Sequence, residues 1–332
     1  MRNFDIAIVY GGQRDDTLAR LAVQMGVTSV VGGGGGGGPE GQSGGYIMPW
    51  DYHSLAKRKK AIEDMGMTFD VIEGIGFIDK CKLGKPGRNE EIDIFCKFLE
   101  NMGKLNIPVV CYNWMPIFGW FRTNVQEKAR GGALATGFHM SDVADWPDVA
   151  AYGKLTKQEL WDNLEYFLKR VVPVAEKYRV KLALHPDDPP VDCIAGIERI
   201  LTTADAMMQV TQIVKSDFNG ITLCQGCFSS MSEDIPKEIR RFGKAGKLFF
   251  SHFRDVVGDC NDFVEVFHDE GKTDMYQAMK AYYDIDYHGV TRPDHVPTMY
   301  GEENASPGYT MLGNLFAIGY MKGLIDSIEA QK

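Results

Sequence analysis

The chain alternates short apolar runs with longer amphipathic stretches, and this alternation restricts its fold more than any other feature. Eight runs have the length and the β-branched or aromatic composition of strands: residues 5–10, 28–31, 68–74, 107–114, 181–185, 221–225, 247–253 and 288–294. Six stretches carry the spacing of amphipathic helices: residues 17–26, 52–66, 90–105, 156–178, 275–283 and 311–328. Strands that alternate with helices form parallel sheets, and eight such units are what a closed (β/α)8 barrel requires.

We therefore predict an α/β fold, a (β/α)8 TIM barrel that spans residues 1–332 as a single domain. An open doubly wound sheet is the alternative. The length of 332 residues suits one barrel. Residues 115–155 are aromatic, contain glycine and fit neither a strand nor a helix. We expect this segment to be an insertion after the fourth strand, near the functional face.

Seven consecutive glycines, Gly32 to Gly38, raise the question of a phosphate-binding loop. A dinucleotide-binding loop opens directly into a helix, whereas this run leads into Pro39 and a polar segment. Ordering seven glycines would also cost backbone entropy of about 1–2 kcal/mol for each residue. We expect residues 32–45 to form a flexible loop on the rim of the barrel, where they could cover the site without performing the chemistry.

Charge and composition exclude several classes of partner. The net charge is −9, which disfavours nucleic acid as a ligand. The sequence contains no apolar stretch of about 18 residues, so we expect no membrane span. Seven scattered cysteines and an N-terminus without the pattern of a signal peptide predict free thiols and a cytoplasmic location.

The ends of the last four strands carry the residue types that bind metals. His185 lies at the end of the fifth strand, Cys224 at the end of the sixth, His252 at the end of the seventh and Asp294 at the end of the eighth. Because all carboxyl ends of barrel strands lie on one face, these four side chains should meet there. Imidazole, thiolate and carboxylate together suit Mn²⁺, Fe²⁺ or Zn²⁺ better than Mg²⁺. The alternative for each histidine alone is a hydrogen-bonded structural role.

Two neighbouring motifs leave their roles open. In Cys-Gln-Gly-Cys we favour Cys224 as the ligand and Cys227 as a structural residue, since the chain has no second pair at this spacing. Asp187 and Asp188 either orient His185 or are solvated residues of a turn.

Further candidates follow the eighth strand. His295 is a natural general acid or base beside a metal. Tyr309 would lie on the same rim; its alternative role is packing on the barrel. Arg292, Arg254 and Arg122 could bind a carboxylate through paired hydrogen bonds.

Several of these motifs occur together and in order: LHPDDPP, FSHFRDV, FHDEGKTDMYQAMKAYY, RPDH and PGYT, with CYNWMPIFGWFRT before them. In this the chain resembles the mannonate dehydratase family, which belongs to the xylose isomerase-like barrels. The resemblance covers about residues 55–325. It implies a cytoplasmic lyase of hexuronate metabolism that contains Mn²⁺ or Fe²⁺, acts on a small sugar acid and forms a homo-oligomer, a dimer or higher.

The resemblance also implies a reaction and its residues. D-mannonate would lose water to give 2-keto-3-deoxy-D-gluconate, through removal of the C2 proton, an enediolate stabilised by the metal and acid-assisted loss of the C3 hydroxyl. The metal ligands would be His185, Cys224, His252 and Asp294, and the acid and base His295 and Tyr309, with their order open. Arg292, Arg254, Arg122 and Asn113 are the candidates for substrate binding.

Some positions depart from the family pattern. The glycine run replaces a segment that usually contains histidine, and Val296 and Pro297 stand where glycine and histidine are typical. These changes leave open a different sugar acid, or a metal-dependent isomerase or epimerase of the same superfamily. A barrel that only binds a ligand, or a metal-dependent hydrolase, is the further alternative.

Overall fold

A parallel barrel forms the centre of the structure, a computed structural model that describes residues 5–10, 16–33, 50–149 and 155–332. The strands of these residues are, in chain order, β1 (Asp5–Val9), β2 (Ser29–Gly33), β3 (Thr68–Glu73), β4 (Val109–Asn113), β5 (Asn124–Lys128), β6 (Leu134–His139), β7 (Lys181–His185), β8 (Cys193–Ile194), β9 (Ile197–Glu198), β10 (Asn219–Cys224), β11 (Leu248–Phe253), β12 (Val256–Asp259), β13 (Asp262–Glu265) and β14 (Val290–Pro293). The helices are α1 (Thr17–Gln24), α2 (Tyr52–Glu63), α3 (Asp79–Leu83), α4 (Arg88–Lys104), α5 (Lys157–Tyr178), α6 (Ala204–Ile213), α7 (Gln225–Ser230), α8 (Ile235–Lys244), α9 (Met275–Asp284) and α10 (Met311–Glu329).

The barrel wall consists of β1, β2, β3, β4, β7, β10, β11 and β14 in chain order, and β14 pairs with β1 to close it. The pairs are parallel, so that every strand ends at the same face of the barrel. The (β/α)8 fold predicted from the alternation of runs is thereby confirmed.

Apolar side chains on both faces of the strands hold the wall in place. In β1, Ile6 and Ile8 join the large core between strands and helices, while Ala7, which points the opposite way, belongs to a smaller cluster inside the barrel. Phe167 of α5 packs on Phe95 of α4 with 5.1 Å between ring centroids. Burying an aromatic side chain of this kind contributes about 1.5–3 kcal/mol, so the helices are fixed firmly to the strands that carry the site.

The predicted strands agree with the barrel strands to within a few residues, but some helices were missed. The sequence analysis assigned no helix to α6 or α8, both of which cover the barrel. Each has a start signal, because Thr203 accepts a hydrogen bond from the Ala206 N–H and Asp234 accepts one from the Lys237 N–H. Among the described residues, no helix has both the length and the apolar composition that a membrane span needs.

A second sheet stands beside the barrel. It is antiparallel, with the order β12–β13–β6–β5, and joins residues after β11 to the segment predicted as an insertion. Its own apolar core includes Phe138, Val256 and Phe263. Within 115–155, residues 115–149 and 155 are described, and they form β5, β6 and two short 3-10 turns.

The glycine run begins inside the barrel wall. Gly32 and Gly33 pair with Ile72 and Glu73 of β3, so these two residues belong to β2 and not to the loop that the sequence predicted. Residues 34–45 of that predicted loop lie outside the described residues.

The two strand glycines predict different responses to substitution. A methyl group at Gly32 would lie 2.6 Å from Cε2 of the buried Phe69 ring, whereas one at Gly33 would meet no atom of the described residues within 4 Å. We expect Gly32→Ala to lower the free energy of unfolding by about 1–3 kcal/mol, and Gly33→Ala to change it by less than about 0.5 kcal/mol. Urea unfolding of both variants checks this, and equal midpoints would contradict it.

Candidate active site

A cavity of about 270 Å³ opens at the carboxyl ends of the barrel strands. Most of the polar side chains predicted from the sequence line it. Glu73 and Trp120, which were not predicted, line it as well. The polar and aromatic lining includes Glu73, Asn113, Trp120, His185, Asp188, His252, Arg292, Asp294, His295 and Tyr309. A barrel cavity of this position and composition is where catalysis occurs in such folds.

Three of the four predicted metal ligands, His185, His252 and Asp294, line this cavity. Nε2 of His185 lies 3.3 Å from Nδ1 of His252, which lies 3.4 Å from Oδ2 of Asp294. The Cys224 sulfur lies 3.8 Å from the same carboxylate oxygen. All four residues are buried. Donor atoms of Cys224, His252 and Asp294 lie close enough together to hold one ion, and His185 adjoins this set through His252 and through its own group with Cys224 and Cys227.

A partner on the far side of each imidazole, a hydrogen-bond acceptor for His185 and an ion-pair carboxylate for His252, indicates which nitrogen faces this cluster. Nδ1 of His185 lies 2.7 Å from the Pro186 carbonyl oxygen, so Nδ1 carries the proton and Nε2 presents its lone pair. Nε2 of His252 lies 3.0 Å from Oε1 of Glu73, which leaves Nδ1 for the cluster. Outer partners of this kind fix metal-binding histidines in the ligating tautomer.

The protein charges hold the other two donors in their anionic form. Burial by itself raises the pKa of the Cys224 thiol, but the hydrogen bond with the Cys227 thiol, the Arg254 guanidinium and the two histidines outweigh it and hold that pKa well below the ordinary value. Burial likewise opposes ionisation of Asp294, and Arg292 with the nearby histidines keeps its pKa well below the usual range. Thiolate and carboxylate are the forms that bind metals.

The charges of the whole cluster match a divalent cation. Leaving the histidines aside, the network contains five anions and three guanidinium groups: Glu73, Asp188, Cys224, Glu265 and Asp294 against Arg122, Arg254 and Arg292. The anions therefore outnumber the guanidinium groups by two. Burial and Arg292 lower the pKa of His252, but Glu73 and Asp294 outweigh them and hold this pKa well above the ordinary value. A divalent cation could take the place of that proton, so the donor set and the charge fit a metal ion that His185, Cys224, His252 and Asp294 could hold.

Two buried arginines connect the cluster to the second sheet. Arg254 contacts Asp294 at 2.7 Å, Asp188 at 2.8 Å and Glu265 at 3.0 Å. Arg122 contacts Asp188 and Glu265, both at 2.6 Å. Asp188, Glu265 and His295 also bring three possible donors together, but the two guanidinium groups already supply positive charge there. This second group therefore suits an ion-pair network and not a metal.

His295 and Tyr309 form a pair on the opposite side of Asp294. Nδ1 of His295 lies 2.6 Å from Oε1 of Glu265, and its Nε2 lies 3.0 Å from the Tyr309 hydroxyl and 3.5 Å from Oδ1 of Asp294. The backbone of His295 has a φ of 29°, in the left-handed region that residues with side chains rarely adopt. This turn lets two consecutive residues, Asp294 and His295, point into one cavity, and strain of this kind is concentrated at functional sites.

The protein environment also fixes the ionisation of Glu265 and of the Tyr309 hydroxyl. Burial raises the pKa of Glu265, but Arg122, His295 and Arg254 outweigh it, so the carboxylate is ionised and accepts the Nδ1–H of His295. The Tyr309 ring is 38% exposed, although its hydroxyl lies against His295. Burial, followed by the Asp294 charge, raises the pKa of Tyr309, so its hydroxyl keeps its proton at neutral pH.

The substrate-binding candidates divide into two groups. Arg292 and Asn113 line the cavity, and Arg292 also holds Glu73 and Asp294 at 3.0 and 2.7 Å. Arg122 and Arg254 are not among the described residues that line it, and their guanidinium groups are engaged by carboxylates.

Asp187 and Asp188 are both buried, which excludes the solvated turn. Neither is the partner of His185. Asp187 accepts hydrogen bonds from the Ile200 and Leu201 N–H groups, and Asp188 pairs with the two arginines described above.

Sequence reasoning missed three residues of the site. Glu73 ends β3, in the sequence VIEG, and a search of all eight strand ends for carboxylates would have found it. Glu265 lies on β13 of the second sheet, and its approach to His295 depends on tertiary structure that no local pattern encodes. Trp120 lies beside His295, with 4.7 Å between ring centroids and an angle of 43° between the ring planes.

Val296, one of the positions that depart from the family pattern, does not change the cavity wall. It is buried, its N–H donates to the Gly308 carbonyl at 2.8 Å, and it is not among the described residues that line the cavity. The sequence analysis had connected it with the substrate.

Comparison with known proteins gives a consistent set of relatives. The family model of D-mannonate dehydratase matches residues 5–332. The mannonate dehydratase of Thermotoga maritima is 33% identical over 97% of each chain. The crystal structure of mannonate dehydratase from Streptococcus suis serotype 2 superposes with a TM-score of 0.89 and 32% identity, over 98% of this chain and 93% of that chain. A D-tagatose 3-epimerase-like protein has a TM-score of 0.65 at 11% identity over 99% of both chains, a likeness of fold alone.

A substitution at Gly226 of α7 can test the role of Arg254 in metal binding without changing any charged residue. A methyl group there would overlap the guanidinium of Arg254, which is fully buried and held by three carboxylates. We expect Gly226→Ala to displace Arg254 and to weaken Mn²⁺ binding by about 10–100-fold, the range for lost outer-shell support. Gly323→Ala, on the exposed face of α10 with nothing within 4 Å, is the matched control. Titration of both variants with Mn²⁺ in competition with a chelator measures this, and equal affinities would exclude the supporting role.

Proposed function

Because the chain belongs to the D-mannonate dehydratase family, we propose that it is a hydro-lyase that removes water from D-mannonate to give 2-keto-3-deoxy-D-gluconate. The observation that carries the proposal is the position of the His295–Tyr309 pair beside the metal-binding cluster, with Asp294 belonging to both. One cavity thus offers a site for the acid group of the substrate and a site for proton transfer.

We further propose Mn²⁺ as the resident metal, with Fe²⁺ as the alternative, held by His185, Cys224, His252 and Asp294. Two neutral imidazoles, a thiolate and a carboxylate suit both ions. The bound cation would supply a Lewis acid that neutralises the substrate carboxylate and so acidifies the proton on C2. A cytoplasmic location and assembly into a homo-oligomer remain parts of the proposal.

His295 is the proposed base. Its Nδ1–H donates to the ionised Glu265, so Nε2, which faces the cavity beside the Tyr309 hydroxyl, is the nitrogen proposed to accept the substrate proton. When Nε2 takes the proton from C2, the imidazolium that forms is stabilised by the carboxylate 2.6 Å away. This is the arrangement by which a buried carboxylate sets the tautomer of a catalytic histidine.

Tyr309 is the proposed acid, because its raised pKa keeps the hydroxyl protonated. It donates its proton to the C3 hydroxyl as the C–O bond breaks, and water leaves. The resulting phenolate recovers a proton from Nε2 of His295 over 3.0 Å. The enol product then moves its hydroxyl proton to C3 as it becomes the 2-keto acid, so that one water is lost and no net proton is gained.

Arg292 and Asn113 are proposed to bind the substrate, since both face the cavity. For Arg122 and Arg254 we propose a positioning role in place of the direct substrate contact that the sequence predicts. Both hold Glu265, and Glu265 in turn holds His295.

A product assay resolved by mass tests the proposed reaction. The purified protein with Mn²⁺ is incubated with a panel of hexonates that includes D-mannonate. We expect D-mannonate to lose one water and a chelator to abolish this loss. Water loss from a different hexonate only would reassign the substrate, and a product of unchanged mass would move the protein to the isomerases or epimerases.

Two substitutions separate the proposed base from the proposed acid. His295→Asn should abolish both water loss and the exchange of the C2 hydrogen with D₂O. Tyr309→Phe should slow water loss by about 10²-fold or more while C2 exchange continues, because proton abstraction does not need the acid. Proton NMR in D₂O follows both processes. Loss of exchange only in Tyr309→Phe would reverse the two roles.

The charge of Glu265 should also affect kcat. Glu265→Gln removes the charge that fixes the His295 tautomer, and we expect kcat to fall about 10²–10⁴-fold. Thr136→Val is the control, because the Thr136 hydroxyl donates to the other oxygen of Glu265 and does not contact His295. Metal content is measured in both variants by mass spectrometry. A full complement of metal with unchanged kcat in Glu265→Gln would contradict the role.

A further inference from the structure

Lys82 is a buried lysine that the proposed reaction does not use. It lies on the short helix α3 and is 3% exposed. Its Nζ lies 3.2 Å from Oδ1 of Asp79, 3.1 Å from Oδ1 of Asn113 and 3.4 Å from the Met115 carbonyl oxygen. Burying an ammonium group is costly, so its few partners set where it can lie. Two of the three belong to the wall of the catalytic cavity.

These contacts leave one orientation for the Asn113 side chain. Its Oδ1 accepts hydrogen bonds from Nζ of Lys82 and from the Met115 N–H, both at 3.1 Å. Both partners act as donors, so a flipped amide would place its NH₂ group against two other donors. The oxygen must therefore point toward these two donors and away from the cavity. The hydrogen-bond partners alone decide which end of the amide is the oxygen.

The NH₂ group of Asn113 remains for the cavity. Asn113 lines the cavity, and no described residue accepts a hydrogen bond from its Nδ2. In the barrel, Asn113 pairs in register with His185, one of the proposed metal ligands. An unpaired donor with fixed direction thus stands beside the place where the sugar acid would be held.

Lys82 itself does not line the catalytic cavity. It lines a neighbouring cavity of about 270 Å³, and Gly74, Asn113 and Met115 form a wall shared by the two. Any effect of Lys82 on a ligand in the catalytic cavity therefore passes through this shared wall, in which Asn113 is the residue with a polar side chain in contact with Lys82.

We propose that Lys82 is a positioning residue that locks Asn113 as a dedicated hydrogen-bond donor to an oxygen of the substrate, a hydroxyl or carboxylate of the sugar acid. The inference rests on the proposed function and adds a determinant of substrate affinity to it. A donor held in this way favours a substrate with an acceptor oxygen at that point, because an analogue without it leaves a polar group unpaired.

Four variants test the proposal by steady-state kinetics with the hexonate that the wild type dehydrates. Asn113→Asp keeps the acceptor for Lys82 and the Met115 N–H but turns an oxygen to the cavity. Asn113→Ala removes the donor. Lys82→Met releases the amide while preserving side-chain length, and the fourth variant combines Asn113→Ala with Lys82→Met. Lys80→Met, on the exposed face of the same helix, is the control.

We expect KM to rise about 10–100-fold in both Asn113 variants and about 10-fold in Lys82→Met, with kcat within about 3-fold of the wild type, since the contact is made before and during the reaction. The double variant should be no worse than Asn113→Ala, because Lys82 acts through the amide. Lys80→Met should match the wild type. Thermal unfolding shows whether each variant is folded.

The possible failures are distinguishable. A wild-type protein that dehydrates no hexonate would contradict the proposed function. An active wild type whose KM is unchanged in Asn113→Asp, or a folded Lys82→Met whose effect adds to that of Asn113→Ala, would overturn this inference alone.

Discussion

The site depends on one electrostatic constraint: anions collected in a protein interior must be balanced by cations at fixed positions. Arg254 illustrates how the chain meets it. Its guanidinium contacts Asp294 after β14, Asp188 after β7 and Glu265 on β13, so one side chain joins two barrel strands to the second sheet. Gly226 supplies the space in which this guanidinium lies. The arginines balance only part of the negative charge, and the remainder supports the proposal that a divalent cation occupies the cluster.

This balance also separates two kinds of chemistry within one cavity. On one side of Asp294 lie the imidazole and thiolate donors, and the outer nitrogen of His185 is already hydrogen-bonded to the Pro186 carbonyl oxygen. On its other side, His295 is held by Glu265 and reaches Tyr309. Asp294 contacts both sides, so the proton-transfer pair keeps a fixed distance from the metal-binding donors. In the proposed reaction the second sheet takes part in catalysis, because β13 supplies the carboxylate that contacts the proposed base, His295.

The sequence predicted those parts of the site that follow from periodicity. Eight alternating units imply a common face for all strand ends, and His185, Cys224 and His252 could be placed there from their positions alone. Glu265 could not, because its approach to His295 depends on how the second sheet folds over the barrel. The glycine run likewise shows that local sequence does not decide where a strand ends. Composition indicates a loop, yet Gly32 and Gly33 continue β2 because β3 offers them hydrogen-bonding partners. Local patterns identify elements, and contacts between elements decide their ends and their catalytic partners.

The most direct test of the central claim, a single divalent-metal site at the four strand ends, is the anomalous scattering of a crystal grown with Mn²⁺. We expect one strong anomalous-difference peak in each chain, within about 2.5 Å of donor atoms from His185, Cys224, His252 and Asp294. A peak among Asp188, Glu265 and His295 instead, or full dehydratase activity in crystals without a peak at the four strand ends, would contradict it.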